Sequence, residues 1–249
     1  MPLILATNSD TPGAPGEPEI FASLQGEGPS VGMPVAFLRL SNCNLACKWC
    51  DTAYTWHFDG DNHAHRDGAT FDRRANQVTL SVADTAERIT ALDQKRLVIT
   101  GGEPMLQAGA LAQLLEYLPD MQVEIETNGT IAAPARLDIR IDQYNVSPKL
   151  SHSGNHARQA LVSTVLDAYA SDPRAFFKFV VASEKDVAEV VALQRQYRFK
   201  PGHVFLMPEG TDSTILRERM EWISPLCLEH GFRLSDRLHI HLYGDTRGT

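Results

Sequence analysis

Hydrophobic and polar residues form alternating blocks along the chain, and these blocks predict strands and helices in turn. Short β-branched or aromatic runs are typical of buried strands, whereas apolar residues that recur every three or four positions indicate helices. The predicted strands cover residues 34–40, 96–100, 122–126, 139–146, 175–182, 204–207 and 238–243. The predicted helices cover residues 81–92, 106–118, 157–169, 184–196 and 214–230.

This alternation predicts an α/β fold with a parallel sheet, because a crossover helix returns the chain in the direction of the preceding strand. About six such units are too few for a closed eight-stranded barrel, so we expect a partial, open (β/α)6-type barrel. The 249 residues suit a single domain. Ligands of parallel α/β folds bind at the carboxyl ends of the strands, and several motifs of this chain directly follow a predicted strand.

Two segments lie outside the alternating pattern. Residues 1–19 are expected to form a turn-rich arm, because proline and glycine are concentrated at 11–18. Residues 53–78 are polar and are interpreted as an insert or loop. Its histidines are expected to be solvent-exposed, with metal binding as the alternative; they are His57, His63 and His65.

Composition and charge narrow the class of protein. Hydrophobic residues make up 43% and charged residues 22%, as in a globular domain, and the net charge of −8 disfavours direct nucleic-acid binding, which needs clustered Lys and Arg. The N-terminus lacks the basic start and apolar core of a secretory signal, and no apolar run is long enough for a membrane helix. We therefore expect a cytoplasmic protein without a membrane partner, whose thiols stay reduced.

Three cysteines follow the first predicted strand, in the sequence SNCNLACKWCDT at 41–52. Thiolates are the usual ligands of iron–sulfur clusters, and three cysteines leave one iron of a four-iron cluster open. The alternative is a structural zinc site, which needs a fourth ligand. Cys227 lies in a predicted helix and is expected to be a buried apolar residue, so a histidine of the insert would have to complete such a site.

The spacing Cys43-x3-Cys47-x2-Cys50, with Trp49 before the last cysteine, resembles the signature of the radical S-adenosylmethionine (SAM) superfamily. The sequence TGGEP at 100–104 resembles the GGE motif of that superfamily, although alone it fits a tight turn with a capping glutamate. The resemblance implies a [4Fe–4S] cluster whose open iron binds the amino and carboxylate groups of SAM. One-electron cleavage of SAM then gives a 5′-deoxyadenosyl radical.

Several further motifs are ordinary turns when taken singly: LQGEG at 24–28, ETNG at 126–129, SPK at 147–149 and MPEG at 207–210. Together with Arg39 and Asp51-Thr52 around the cysteines, they are similar to the 7-carboxy-7-deazaguanine synthase family. The resemblance implies conversion of 6-carboxy-5,6,7,8-tetrahydropterin to 7-carboxy-7-deazaguanine with loss of ammonia, in queuosine and 7-deazapurine biosynthesis. It also implies Mg²⁺, a homodimer, and an electron donor such as flavodoxin or ferredoxin.

The resemblance assigns residues by motif, with the radical supplied by the cofactor and no catalytic side chain. The cluster ligands would be Cys43, Cys47 and Cys50, and the Mg²⁺ ligand Thr52. The SAM site would comprise Trp49, Cys50, Asp51, Gly102, Glu103, Ser147, Pro148 and Lys149. The pterin site would comprise Leu24, Gln25, Gly26, Glu27, Arg39 and Thr100.

Two other functions remain open. A glycyl-radical activase would share the three cysteines, but LQGEG, Arg39 and the CDT sequence after the cysteines argue against it. A metal-binding module without enzymatic activity is the second. In the family, the terminal segment can close over the substrate, and no role is assigned to His241 or Thr249.

Overall fold

The structure of the protein is a computed structural model, which describes residues 1–8, 14 and 16–249. The strands of these residues are β1 Leu3–Asn8, β2 Glu17–Pro18, β3 Ile20–Leu24, β4 Pro34–Leu40, β5 Gln77–Leu80, β6 Arg96–Gly101, β7 Gln122–Thr127, β8 Gln143–Val146, β9 Ala175–Val181, β10 Val204–Pro208 and β11 Arg233–Leu234. The α-helices are α1 Arg73–Asn76, α2 Val82–Thr90, α3 Ala108–Leu114, α4 Ala135–Asp138, α5 Ala157–Ala160, α6 Ser163–Ser171, α7 Glu184–Tyr197, α8 Ser213–His230 and α9 Leu238–Tyr243.

The strands form one sheet whose larger part is parallel. Its parallel strands lie in the order β4-β6-β7-β8-β9-β10-β11. Beyond β4, the strands β1, β2, β3 and β5 add antiparallel pairs. Because β2 and β11 lie at opposite ends of this order, the sheet stays open. The predicted partial, open barrel is confirmed.

The core lies between the sheet and its helices. Residues 35–38 of β4 are buried one after another, as expected of a parallel strand that is covered on both faces. Helix α2 begins where the Ser81 hydroxyl accepts the Asp84 N–H at 3.0 Å, which is the usual N-cap bond. Its apolar side then places Ile89, fully buried, in the main core cluster. No helix of the described residues is long and apolar enough to cross a membrane.

The C-terminal segment differs from the prediction, because residues 238–243 form helix α9 and not a strand. Alternation of Leu238, Ile240 and Leu242 suits a strand, but so short a run does not distinguish the two structures. Of the three, Ile240 alone is buried. The place beside β10 is taken by β11, and the Leu238 N–H donates to the Gly26 carbonyl at 2.9 Å.

The N-terminus also differs from the predicted arm at its start. Strand β1 pairs with β2, β4 and β5, and its residues Leu3 and Leu5 are fully buried. Their burial outweighs the turn signals that follow them in sequence. Residues 11–13 and 15 of the proline- and glycine-rich stretch at 11–18 lie outside the described residues.

Three other predicted elements have different boundaries in the structure. The helix predicted at 157–169 is interrupted between α5 and α6. Strand β8 begins later than predicted, because the chain first forms α4 and leaves Ile139 exposed at 77%. The predicted insert ends in α1 and β5, and β5 pairs with β1. Its last residues therefore belong to the sheet.

We expect Leu5→Ala to lower the free energy of unfolding by about 2–5 kcal/mol, because it opens a cavity in a packed core. Ile139→Ala is the matched control, and its exposed side chain should contribute less than about 0.5 kcal/mol. Anaerobic urea unfolding of the cluster-loaded protein measures both. Equal midpoints for Leu5→Ala and the wild type would show that β1 is not part of the folded core.

Candidate active site

Most of the predicted site residues line one cavity. The cysteine loop, the GGE turn and the SPK segment follow the carboxyl ends of β4, β6 and β8, whereas the LQGEG segment follows the antiparallel strand β3. The predicted residues on the cavity wall are Leu24, Gln25, Gly26, Glu27, Arg39, Cys43, Cys47, Trp49, Cys50, Asp51, Thr52, Thr100, Gly102, Ser147 and Lys149. Glu103 and Pro148 are buried and do not belong to the wall, so their SAM contacts stay predictions. The parallel strand ends therefore gather three of the motifs, as the fold predicts.

Each of the three cysteine sulfurs accepts a hydrogen bond near the cavity. The Leu45 N–H lies 3.5 Å from Cys43 Sγ, Asn155 Nδ2 lies 3.2 Å from Cys47 Sγ, and Trp56 Nε1 lies 3.3 Å from Cys50 Sγ. N–H donors to sulfur help to set the properties of an iron–sulfur cluster. The loop thus supports its thiols from the protein side and leaves them open to the cavity.

Burial disfavours ionisation of the three thiols. Burial raises the pKa of Cys43 to about 12 and that of Cys50 to about 11, and it also raises the pKa of Cys47. Iron favours the thiolate directly, so loading is coupled to loss of protons.

The donor set fits a cluster better than a single ion. No three His, Cys, Asp or Glu side chains of the described residues converge on one metal position, as the zinc alternative would need. In a four-iron cluster each cysteine binds a different iron, so the three sulfurs need not converge.

The GGE turn lies directly against the cysteine loop. A Cβ at Gly102 would lie 1.9 Å from the Asn42 carbonyl oxygen, and one at Gly101 would lie 2.0 Å from that of Leu40. Gly101 also has φ +123°, where residues with a side chain are strained. Both glycines are therefore required for this close approach.

Glu103 holds the same turn together. Its Oε1 accepts from the Met105 N–H at 3.0 Å and from Thr127 Oγ1 at 2.8 Å, and its Oε2 accepts from the Asn128 N–H at 2.7 Å. This is the capping role that the turn alone suggested. The ETNG segment at 126–129 is thus fixed to the GGE turn.

The predicted SAM side contains an aromatic ring and a cation. Trp49 stacks on His152, with ring centroids 5.2 Å apart and planes at 15°. The Lys149 Nζ lies 5.7 Å from the Trp49 ring centroid and donates to Ser147 Oγ at 2.8 Å. A carboxylate or ribose could be held by this Ser–Lys pair.

Buried polar groups form hydrogen bonds with the residues that are predicted to bind the pterin. Gln25 Nε2 donates to Glu124 Oε1 at 2.8 Å, and Asn145 Nδ2 donates to the same oxygen at 2.6 Å. Thr100 Oγ1 donates to Glu126 Oε2 at 2.9 Å. Burial raises the pKa of Glu124, which is fully buried, whereas Glu126 reaches the cavity wall.

An ion pair with Glu19 holds the Arg39 side chain in place. Its Nε donates to Glu19 Oε2 at 2.5 Å, and Tyr54 OH donates to the same oxygen at 3.0 Å. Oε1 of Glu19 is buried and accepts no hydrogen bond from any described residue. Arg39 also lines the cavity, and a guanidinium can bind a carboxylate with two parallel bonds.

Several wall residues were not assigned from the sequence: Glu126, Asn128, Asn145, Lys178, Arg237 and His239. The signal for Lys178 was present, because a lysine interrupts an otherwise apolar strand at 175–181. Its Nζ pairs with Glu27 and lies 3.7 Å from Glu126 Oε1. Arg237 carried no comparable signal.

The histidines of the insert do not all lie in solvent. His57 is 2% exposed, and His65 Nε2 donates to the Cys50 carbonyl at 2.9 Å. The prediction that they are solvated is correct for His63 only. The rings of His57 and His63 contact the Trp56 ring. The insert therefore contributes an aromatic cluster next to the cysteine loop, which its polar sequence did not indicate.

The C-terminal residues 245–249 complete the cavity wall. The guanidinium of Arg247 lies 3.7 Å from the Tyr54 ring centroid, and its NH1 donates to Asn76 Oδ1 at 3.0 Å. Its partners belong to the predicted insert. The insert therefore anchors the C-terminal segment over the cavity.

The class of protein follows from these features together. The family model of the radical SAM superfamily matches residues 39–151, which include the three cysteines, the GGE turn and the SPK segment. The crystal structure of QueE from Escherichia coli aligns with a TM-score of 0.66 over 96% of this chain and 95% of that chain, at 27% identity. The chain is thus an enzyme of the radical SAM superfamily, which uses a [4Fe–4S] cluster and SAM.

Comparison with curated proteins identifies the particular family. The 7-carboxy-7-deazaguanine synthase of Pyrobaculum aerophilum is 37% identical over 233 residues, covering 92% of this chain and 95% of the relative. That of Hyperthermus butylicus is 33% identical, covering 89% of this chain and 90% of the relative. The chain belongs to the 7-carboxy-7-deazaguanine synthase family.

In the protein without its cluster, we expect iodoacetamide to label Cys43 and Cys50 slowly at pH 8, because only the thiolate reacts. Since burial raises both pKa values above 10, the labelling rate should rise about tenfold per pH unit up to about pH 9.5. Glutathione is the control and should level off within this range. Peptide mass spectrometry gives the rate at each cysteine, and a plateau below pH 9 would contradict the raised pKa values.

Proposed function

We propose that this enzyme converts 6-carboxy-5,6,7,8-tetrahydropterin to 7-carboxy-7-deazaguanine with loss of ammonia, in queuosine and 7-deazapurine biosynthesis. One observation carries the proposal: a single cavity is lined by the three cysteines and by Arg39. The first can hold the radical-generating cofactor, and the second suits a carboxylated substrate. The names of the relatives state the product.

The residues of the cysteine loop would hold the cofactors. Cys43, Cys47 and Cys50 would ligate the [4Fe–4S] cluster, and Trp49 and Asp51 would border SAM beside them. When bound, these groups supply an electron and a carbon-centred radical. The chain itself supplies placement, because radical transfer requires one substrate C–H bond to lie in contact with the reactive carbon.

Thr52 is proposed as the protein ligand of Mg²⁺. Its hydroxyl lies 3.6 Å from Cys50 Sγ and borders the cavity. Mg²⁺ prefers oxygen ligands and keeps several positions for water or substrate. A carboxylate held by Arg39 could occupy one of them, so the ion and the guanidinium would bind the same substrate group.

The pterin would be oriented by polar residues of the cavity wall, among them Gln25 and Thr100. Gln25 and Thr100 are held by Glu124 and Glu126, so their side chains are already fixed before a ligand binds. Such preorganisation lowers the cost of ordering groups on binding. Apolar rings complete the pocket, since Phe21 and Phe37 stack with centroids 5.2 Å apart at its wall.

The cluster would need an electron donor and a reducing compartment. We expect a low-potential donor such as flavodoxin or ferredoxin to supply the electron, and a reducing compartment, the cytoplasm, to preserve the cluster. All four cysteines are free, which suits that compartment. We propose that the whole chain forms one radical SAM domain, and we expect a homodimer from the family resemblance.

The test is a product assay under anaerobic conditions. The reconstituted enzyme, with reductant, SAM, Mg²⁺ and the carboxylated pterin, should form 7-carboxy-7-deazaguanine, detected by mass spectrometry. In the same assay, Arg39→Lys should raise the pterin KM by about tenfold or more, because a lysine cannot donate two parallel bonds to a carboxylate.

Arg88→Lys is the matched control, since Arg88 lies half-exposed on α2 and away from the cavity. It should leave KM and kcat unchanged. A wild-type enzyme that cleaves SAM but forms no deazaguanine would contradict the proposed reaction. An unchanged pterin KM in Arg39→Lys would contradict only the role of Arg39.

A further inference from the structure

A buried guanidinium connects three loops of the cavity. Arg237 lies between β11 and α9 and is 6% exposed. Its Nε donates to Glu27 Oε1 at 3.0 Å, its NH2 to Asp51 Oδ2, and its NH1 to the Gly210 carbonyl. Five N–H groups in a rigid plane make arginine suited to such a junction.

The three partners belong to different parts of the site. Glu27 lies in the LQGEG loop on the proposed pterin side, whereas Asp51 directly follows the third cysteine on the proposed SAM side. Gly210 lies in the loop between β10 and α8. Arg237 therefore bridges the two ligand sides through its own side chain.

Two further hydrogen bonds strengthen the connection between the Arg237 segment and the LQGEG loop. The Leu238 N–H donates to the Gly26 carbonyl at 2.9 Å, and Ser235 Oγ accepts the Gly28 N–H at 2.9 Å. The segment that carries Arg237 is thus bonded to both neighbours of Glu27. A shift of the LQGEG loop must move the guanidinium with it.

Attraction between the Arg237 guanidinium and two carboxylates holds the bridge together. Arg237 forms ion pairs with both Asp51 and Glu27. Glu27 is held below its ordinary pKa, against burial, by Lys178 and Arg237. Removal of the guanidinium would leave Asp51 without its cation beside the cysteine loop.

We propose that Arg237 is a positioning residue that couples the two ligand sides, so that SAM and the pterin each tighten the binding of the other. SAM bound near Asp51 orders the Asp51–Arg237 pair, and the same guanidinium then fixes Glu27 for the pterin. The coupling must be reciprocal, because it is a free energy shared by two sites. The inference rests on the proposed function for the identity of the second ligand.

The test uses the cluster-loaded enzyme with an oxidised cluster and no reductant, so that both ligands can be titrated without turnover. Anaerobic calorimetry gives the SAM Kd with and without saturating pterin, and their ratio is the coupling factor. We expect a factor of about 5 or more in the wild type. In Arg237→Gln it should fall below about 2 while SAM alone still binds.

Arg217→Gln is the matched control, because Arg217 is exposed on α8 and should keep the wild-type factor. Arg237→Lys is the second variant, used if Arg237→Gln loses its cluster; its single ammonium cannot span both carboxylates in the same geometry. It should lose most of the coupling as well. With reductant, both Arg237 variants should form several times more 5′-deoxyadenosine per product than the wild type.

Three results would overturn the inference: no coupling in the wild type, the wild-type factor in Arg237→Gln, or the wild-type factor in Arg237→Lys. The proposed function fails in a different way. A wild type that binds SAM but no pterin contradicts both proposals. A wild type that forms product while Arg237→Gln keeps its coupling contradicts only the role of Arg237.

Discussion

Charge buried in a protein must be matched by opposite charge or by hydrogen bonds, and the cavity wall of this enzyme is built under that constraint. Lys178 and Arg237 are almost fully buried, and they can lie there because Glu27 lies between them. Asp51 takes the remaining side of Arg237. Each pair joins segments distant in sequence, so charge matching fixes the loops relative to one another.

The parallel sheet makes this matching possible, because it brings the loops to a common edge. Arg39 lies near the end of β4, and the cysteine loop follows it directly. Gly101 and Gly102 then allow the turn after β6 to contact the backbone of that loop. Cofactor side and substrate side consequently share one cavity, which is the arrangement that a radical reaction at a single C–H bond requires.

Local sequence predicted the parallel strands, and most of the site residues that it proposed line one cavity, since strand periods and the C-x3-C-x2-C spacing are properties of short segments. It did not predict β1, where burial of Leu3 and Leu5 is decided by strands far away in sequence. It missed Arg237 for the same reason, because its three partners meet it only in the folded chain. Residues 238–243 form α9 and not the predicted strand. The prediction failed because their alternation is too short to distinguish the two periods.

We propose that Cys43, Cys47 and Cys50 hold a cluster with one iron open toward the cavity. Mössbauer spectroscopy of the enzyme reconstituted with ⁵⁷Fe tests it directly, with and without SAM. We expect SAM to change the isomer shift of about one iron in four, because one of the four irons has no cysteine ligand. A spectrum that SAM leaves unchanged, or iron that does not assemble into a cluster on these cysteines, would contradict it.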